Sequence, residues 1–232
     1  MNARASTSPD KDAHGANTLL LAPAFDDGED AVCADMLGVA EPGETDALFV
    51  TLTASPDARI DHWRTRVSPS PPANLGVVSV DESTRSAAAR SASATTANGH
   101  VRSVSSPGDL TGLGIAISEY LSEWHGDGNR TVVCFHSLTP LLQYADARRV
   151  FQFLHVLTRR VESADAVAHY HLDPSAHDER TVRMLSSLFD EVVDAGDRHE
   201  DGHDHDHDRG DVDAGELADD PADREAEATE SA

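Results

Sequence analysis

The most continuous apolar stretch of the chain is residues 131–135, which are mainly β-branched or aromatic. A run of this kind, without the alternation of a half-exposed strand, is typical of a strand that is buried on both faces of a parallel sheet. His136 and Ser137 follow it, so polar side chains are expected at the carboxyl end of this strand. Further strands are predicted, in chain order, at residues 18–22, 47–52, 75–80, 101–104, 166–172 and 191–193.

Apolar residues at helical spacing fill the segments between these strands. The clearest stripe runs from Leu110 to Trp124, behind Ser106 and Asp109, which resemble a capping box. Asp146 is expected to cap a second helix, which ends near residue 161. Other helices are predicted at residues 29–39, from Pro56 onward and from Asp178 onward. Because strands alternate with helices, we expect an α/β fold of three layers with a mainly parallel sheet.

The predicted domain occupies residues 17–195 and has segments of a different composition around and within it. Residues 1–16 are small and polar, and we expect them to be a disordered N-terminus. Residues 82–100 are rich in Ser, Ala and Thr and predict a flexible loop or a frayed helix. Residues 196–232 contain 15 acids and 3 arginines, a net charge of −12, so they predict a disordered acidic tail rich in His and Asp.

The charge of the chain limits its environment and its partners. It has 42 acidic against 18 basic residues, a formal charge of −24, and Lys11 is its one lysine. This composition is typical of cytoplasmic proteins of halophilic archaea, where salt screens repulsion beyond a few ångströms; an ordinary acidic protein with a disordered tail is the alternative. Nucleic-acid binding depends on Lys and Arg and is not expected. No apolar run is long enough for a membrane span, and the first residues lack an apolar core, so we expect neither a transmembrane helix nor a signal peptide. Cys33 and Cys134 lie in no CxxC motif, so we predict small buried residues in a reducing cytoplasm.

The segment VVCFHSLTPLL resembles the second half of a RecA/KaiC-type ATPase core, where a strand ends in Asp-Ser and is followed by Leu-Thr or a similar pair. The order of elements around it is similar too, including the strand-to-helix step LFVTLTASPDARI. This resemblance covers most of residues 17–195 and is closest to small haloarchaeal proteins of KaiC-like type, some of them linked to signal transduction. It implies a RecA/KaiC-like fold, with a Walker B carboxylate expected where this chain has His136.

Two departures from the RecA/KaiC pattern argue against ATP hydrolysis. A phosphate-binding loop needs the sequence GxxxxGK[ST], whereas residues 22–30 read APAFDDGED, with one glycine, no lysine and four acids. Those acids would repel a triphosphate at the N-terminus of the following helix. The degenerate Walker B position, His136 and Ser137, offers no carboxylate for a magnesium ion. We therefore predict a degenerate P-loop protein, a pseudo-ATPase without catalytic or nucleotide-binding residues.

A pair of histidines in a later strand is a candidate metal site. His169 and His171 stand two residues apart and are expected on the same face of the strand. Asp173 continues that face and His177 follows the next turn, so these four residues form a candidate tetrahedral set for zinc. The alternative is a row of polar side chains at a strand end that face solvent or the tail.

Two further candidate sites have weaker support in the sequence. The tail contains HEDGHDHDHD, which predicts weak binding of zinc or nickel as the one cofactor expected of this chain, or else a merely solvated tract. Its candidate ligands are His199, His203, His205 and His207. Ser137 is a poor candidate nucleophile, because no G-x-S-x-G elbow surrounds it and the adjacent His136 is expected on the opposite face of the strand.

We expect the chain to be a non-catalytic RecA/KaiC-like module for regulation or protein interaction, with signal transduction in a halophilic archaeon as its setting. One alternative is a divergent nucleotide-binding ATPase in which the acids of residues 26–30 hold a metal. Another is a metal-binding protein that uses His169, His171 and the tail. A protein partner is expected, and a homo-oligomer is left open. Four arginines either dock an acidic partner or pair with the chain's own carboxylates: Arg148, Arg149, Arg159 and Arg160.

Overall fold

The computed structural model describes residues 17–23, 27–37, 41–80, 94–96 and 99–195. In this part of the chain the strands are β1 (Asn17–Leu21), β2 (Thr45–Thr51), β3 (Asn74–Val80), β4 (Ala94–Thr96), β5 (Gly99–Val104), β6 (Arg130–His136), β7 (Val167–Leu172) and β8 (Glu191–Asp194). The helices are α1 (Asp27–Leu37), α2 (Pro56–His62), α3 (Leu110–Trp124), α4 (Leu138–Tyr144), α5 (Ala147–Ser163) and α6 (Glu179–Ser186). A π-helical turn, Trp63–Val67, continues α2.

The strands form one sheet in the order β4-β5-β3-β2-β6-β7-β1-β8. Seven strands are parallel, and β4 is an antiparallel edge strand beside β5. The prediction of an α/β fold with a mainly parallel sheet is therefore confirmed. Residues 131–135, in the middle of β6, are all buried, as expected of a central strand with helices on both faces.

Helices cover the two faces of the sheet unequally. The apolar sides of α3, α4, α5 and α6 pack on one face, where the larger hydrophobic cluster lies. The buried apolar residues of α5, for example, recur at helical spacing and are Val150, Leu154, Leu157 and Val161. The opposite face is covered by α1 and by α2 with its π-helical turn. Helices on both faces make three layers.

Local sequence signals start several helices where they were predicted. Asp146 caps α5 and Asp178 caps α6, each through its carboxylate. The prediction of a capping box ahead of α3 is wrong in one detail, because the N-cap of this helix is Asp109 and not Ser106. The hydroxyl of Ser106 accepts instead from the backbone N–H of Gly108, within the turn that precedes the helix.

Other differences from the predicted elements concern short segments. The prediction did not include α4, whose seven residues show too little helical periodicity to be recognised. The segment predicted as a loop at 82–100 contains β4 and the start of β5, while residues 81–93 and 97–98 lie outside the described part. The predicted disordered ends, 1–16 and 196–232, lie outside it as well. Every helix among the described residues is too short or too polar to span a bilayer.

The strand order reverses between β2 and β6, so the sheet has a topological switch point at the carboxyl ends of these strands. From β2 the chain continues through α2 to its neighbour β3 on one side, whereas from β6 it continues through α4 and α5 to β7 on the other. In open α/β sheets, ligands bind at such a switch point. Thr51 of β2 is paired there with His136 of β6, so the residues that follow the central strand lie at this edge.

Candidate metal centre

Side chains of α1, β6 and β7 meet on the sheet face that α1 and α2 cover. The parallel strands β6 and β7 pair in a register that sets Cys134 beside His169. Because side chains alternate along a strand, His171 projects from the same face of β7 as His169. The buried side of α1 faces these strands and brings Cys33 above them.

The donor atoms of Cys33, Cys134, His169 and His171 all lie within 4.8 Å of one another. The Sγ atom of Cys33 is 3.7 Å from the Sγ of Cys134 and 3.2 Å from Nε2 of His169. The Sγ atom of Cys134 is 3.6 Å from Nε2 of His171. Cys33 and His169, which are 136 positions apart in the sequence, thus present their donors to the same cluster.

The three shortest of these separations match those between ligands of one tetrahedral ion. With Zn–S bonds of about 2.3 Å and Zn–N bonds of about 2.0 Å, tetrahedral geometry separates two sulfurs by roughly 3.8 Å and a sulfur from a nitrogen by roughly 3.5 Å. The observed distance of 3.7 Å between the two sulfurs, and those of 3.2 and 3.6 Å between sulfur and nitrogen, agree within a few tenths of an ångström. The residues therefore form a Cys₂His₂ donor set of the kind that binds structural zinc.

The surroundings of these four residues are closed and apolar. Each is at most 4% exposed. Phe49 and Trp63 pack edge to face at 6.4 Å in the same hydrophobic cluster as the two cysteines. Thiols and imidazoles in such a layer cost free energy unless their polar atoms are paired. Thiol–imidazole hydrogen bonds satisfy part of this need, and a single metal ion would engage all four donors at once.

The two residues of the degenerate Walker B position lie next to this cluster. His136 is half-buried, and its ring centroid is 4.8 Å from that of His171. Ser137 is the N-cap of α4: its hydroxyl accepts from the backbone N–H of Thr139 at 3.2 Å and donates to the carbonyl of His171 at 3.1 Å. Because both contacts are with the backbone, Ser137 has a capping role, and the geometry does not pair it with a base.

The other two members of the predicted metal set lie elsewhere. Asp173 begins a short 3₁₀ turn, where its carboxylate accepts from the N–H of Ser175 at 2.9 Å and from its hydroxyl at 2.6 Å. His177 follows this turn, and burial lowers the pKa of its imidazole although Asp173 and Asp178 lie nearby. Neither residue belongs to the converging group. The histidines of the tail, His199, His203, His205 and His207, lie outside the described residues.

Reasoning from the sequence found two of the four converging donors and missed the other two. His169 and His171 were placed on one strand face by their spacing, and the structure has them there. Cys33 and Cys134 were correctly predicted to be buried but were treated as isolated, since no short motif joins them. The available signal for a shared site was that Cys33 lies on the buried side of a predicted helix and Cys134 lies in a predicted central strand.

A model of a protein family matches residues 15–195, and its description is Family of unknown function (DUF7504). The chain belongs to this family. No curated protein has a sequence that matches this DUF7504 chain. Two solved structures from the archaeon Pyrococcus horikoshii are similar to it, each with 11% sequence identity.

The first of these archaeal structures, from a structural study of a protein of strain OT3, has a TM-score of 0.47 over 79% of this chain and 83% of that one. The second is an uncharacterized protein in complex with an unknown peptide, and its TM-score is 0.50 over 78% of this chain and 77% of that one. At 11% identity, the similarity to the second structure concerns the fold of the DUF7504 chain and not its function.

Proposed function

We propose that this DUF7504 protein is a regulatory module that binds one transition-metal ion, with Zn²⁺ as the expected ion, and that does not hydrolyse nucleotides. The observation that carries the proposal is the convergence of four buried donors from α1, β6 and β7. Thiolate and imidazole ligands favour Zn²⁺ or Cu⁺ over Mg²⁺ and Ca²⁺, which prefer oxygen. Four protein ligands in a closed site are typical of a structural or regulatory ion, whereas a catalytic zinc keeps an open position.

The scaffold in this proposal is a RecA/KaiC-like domain that has lost its nucleotide chemistry. The sequence VVCFHSLTPLL supports the kinship, and the absence of a GxxxxGK[ST] sequence at residues 22–30 supports the loss. The position that would hold the Walker B carboxylate is His136, two residues beyond Cys134 on the same strand. In this proposal, the cysteine ligand of β6 therefore lies two residues before the position at which such a domain would bind magnesium and phosphate.

The proposed setting is the cytoplasm of a halophilic archaeon, with a role in signal transduction. A reducing compartment keeps both thiols available as ligands. An ion in the cluster would join α1 to the central strands β6 and β7, and its binding would therefore control how firmly α1 is held on the sheet. A protein partner that contacts the α1 side of the domain would then distinguish the metal-loaded from the metal-free form.

Metal content of the full chain is the direct test. Protein that is reduced, stripped with a chelator and reloaded in molar KCl should retain one Zn²⁺ per chain by elemental analysis. With Co²⁺ it should show the intense thiolate-to-metal absorption and the visible bands of a tetrahedral site. The variants Cys33→Ser and His171→Asn should lose both signals while circular dichroism shows that the fold remains.

A matched variant separates this site from the tail. Replacing His199, His203, His205 and His207 by Asn in the full chain should leave the tightly held ion and its cobalt spectrum unchanged. If the tail variant loses the ion and Cys33→Ser keeps it, the converging cluster is not the metal site and the proposal fails.

The non-hydrolytic part of the proposal has its own test. Titration of the full chain with Mg-ATP in molar KCl should give neither binding heat nor phosphate release, because residues 22–30 supply no lysine and four carboxylates. Measurable turnover that is lost in a variant carrying both Asp26→Asn and Asp27→Asn would instead support the divergent ATPase.

A further inference from the structure

Four polar side chains meet at the amino end of the sheet, at the opposite end of the strands from the switch point. Asp46 is the second residue of β2, and the register pairs it with Asn74, the first residue of β3. Asp127 and Asn129 lie in the segment that connects α3 to β6. We call these four residues the Asp/Asn cluster. Asp46 alternates onto the sheet face that α3 covers, whereas the Cys₂His₂ cluster lies on the other face.

The side-chain ends of the Asp/Asn cluster form a closed ring of four atoms. Nδ2 of Asn74 donates to Oδ1 of Asp46 at 2.7 Å and to Oδ2 of Asp127 at 3.4 Å. Nδ2 of Asn129 donates to the same two oxygens, at 3.1 and 3.2 Å. The backbone N–H of Asn129 also donates to Oδ1 of Asp127 at 2.9 Å, which holds this carboxylate in place. Two carboxylates thus share two neutral amides within one small ring.

No positive charge balances these carboxylates among the residues that the structure describes. Neither Asp46 nor Asp127 forms an ion pair with a basic side chain of that part of the chain. Arg130, the arginine closest in sequence to Asp127, belongs to the opposite face of β6 from Thr131, the residue that pairs with Asp46. Asp46 is 0% exposed, and its Oδ2 atom is buried with no hydrogen-bond partner. A carboxylate in this situation costs free energy that a bound cation would offset.

The ring has the dimensions of oxygen ligands around a hard divalent cation. Ligands at right angles to each other are separated by about 2.9 Å around Mg²⁺, with bonds of about 2.05 Å, and by about 3.4 Å around Ca²⁺, with bonds of about 2.4 Å. The sides of the ring, from 2.7 to 3.4 Å, cover this range. A half-turn of an amide group puts its oxygen where its nitrogen was, so both asparagines can become oxygen ligands without a backbone change.

We propose that the Asp/Asn cluster binds one hard divalent cation, Ca²⁺ or Mg²⁺, through its two carboxylates and its two amide oxygens. Asp46 holds the ion from the buried side, whereas Asp127 and Asn74 are exposed, so the ion can enter there and water can complete its coordination shell. The ion ties the segment between α3 and β6 to the amino ends of β2 and β3. This site is independent of the proposed zinc site, because Ca²⁺ and Mg²⁺ prefer oxygen ligands to thiolate and imidazole.

Calorimetric titration of the full chain, stripped of divalent cations, with Ca²⁺ and with Mg²⁺ tests the site. In molar KCl, loose association with exposed carboxylates is screened. The wild type should bind one ion per chain saturably, and the cation with the lower dissociation constant identifies the ion. Asp127→Asn should raise that constant by about tenfold or more, since even the outer partners of a metal site typically contribute about 10–100-fold. The matched control, Asp61→Asn, removes the same charge from the surface of α2 and should bind like the wild type.

Urea unfolding of Asp46→Asn separates an ion ligand from a residue with a structural role alone. Burial raises the pKa of Asp46, and the charge of Asp127 raises it further, so the ionised carboxylate is poorly stabilised in the cation-free protein. In the presence of a chelator at pH 7, the variant should therefore be at least as stable as the wild type. With a saturating concentration of the ion, only the wild type should gain stability, and it should become the more stable of the two. A structural role alone predicts the same order in both conditions.

Two results would overturn the proposed cation site. One is a wild type that binds neither Ca²⁺ nor Mg²⁺ saturably. The other is an Asp127→Asn protein that keeps the dissociation constant of the wild type, which would assign the bound ions to other carboxylates, such as those of residues 196–232.

Discussion

Replacing Cys134 by valine distinguishes a metal ligand from a small buried residue. Cys134 is fully buried in β6 among apolar neighbours, and valine is similar in size and favours strands. In the metal-free protein, Cys134→Val should therefore change the free energy of unfolding by less than about 1.5 kcal/mol. In the presence of zinc the same change removes one of four donors and with it most of the stabilisation that the ion gives.

The size of that stabilisation follows from linkage. An ion that binds only the folded state contributes about 4.1 kcal/mol when its free concentration is about 1,000 times its dissociation constant. For a domain the size of residues 17–195, at roughly 2.1 cal/mol/K per residue, the entropy of unfolding is about 380 cal/mol/K. Dividing the free energy by the entropy predicts that zinc raises the melting temperature of the wild type by about 11 °C.

Thermal unfolding followed by circular dichroism measures this rise, in molar KCl with a reductant and with zinc either buffered or chelated. Wild type should show the full rise and Cys134→Val only a small part of it. His155→Asn, which alters an exposed histidine on α5, should respond like the wild type. An equal rise in wild type and Cys134→Val, or no rise in either, would refute the assignment of Cys134 as a ligand.

Three further predictions concern the scaffold. Ser137→Ala should destabilise the protein by about 1 kcal/mol through loss of the α4 cap while one zinc per chain remains, which metal analysis and urea unfolding check together. Burial raises the pKa of Asp46 in the folded protein above its pKa in the unfolded chain. Stability therefore falls as the pH rises from the lower of these two pKa values through the higher one, because the buried carboxylate must then be charged. Asp46→Asn should therefore raise the free energy of unfolding in urea melts with a chelator more at pH 7 than at pH 4, while its amide oxygen still accepts from Asn74. With a net charge of −24, the fold should loosen on dialysis from molar KCl into millimolar salt, and an unchanged circular dichroism spectrum would contradict this.

Most elements of this fold were predictable because each is specified by residues close together in the sequence. The stripe from Leu110 to Trp124 predicts α3 at its observed bounds, and the unbroken run in β6 predicts its burial. The short helix α4 was not predicted, and the reason is physical. The segment that forms α4 is too short to show a period, and Pro140 in its first turn made a loop equally plausible although helices tolerate it there.

The metal cluster was only half predictable because its assembly depends on strand order. The alternation of residues along β7 places His169 and His171 on one face whatever the topology. Whether β6 lies beside β7 depends on pairing between strands that α4 and α5 separate in the chain. Whether α1 covers that face depends on contacts between residues more than a hundred positions apart. A single sequence shows no periodicity that relates Cys33 to Cys134, so the thiols could be assigned a role only from the structure.

The place of β1 in the sheet has a consequence for how the chain is made. This first strand lies between β7 and β8, the last two strands in the sequence, and bonds to both. During synthesis on the ribosome it has no neighbour until β7 has emerged, and Cys33 likewise waits for His169 and His171; the second neighbour of β1, β8, follows at residue 194. Since long-range pairing slows folding and leaves strands exposed meanwhile, the sheet should close only after β8 has been synthesised. Capture of the proposed metal ion would then follow the pairing of β6 with β7 and the docking of α1 on them.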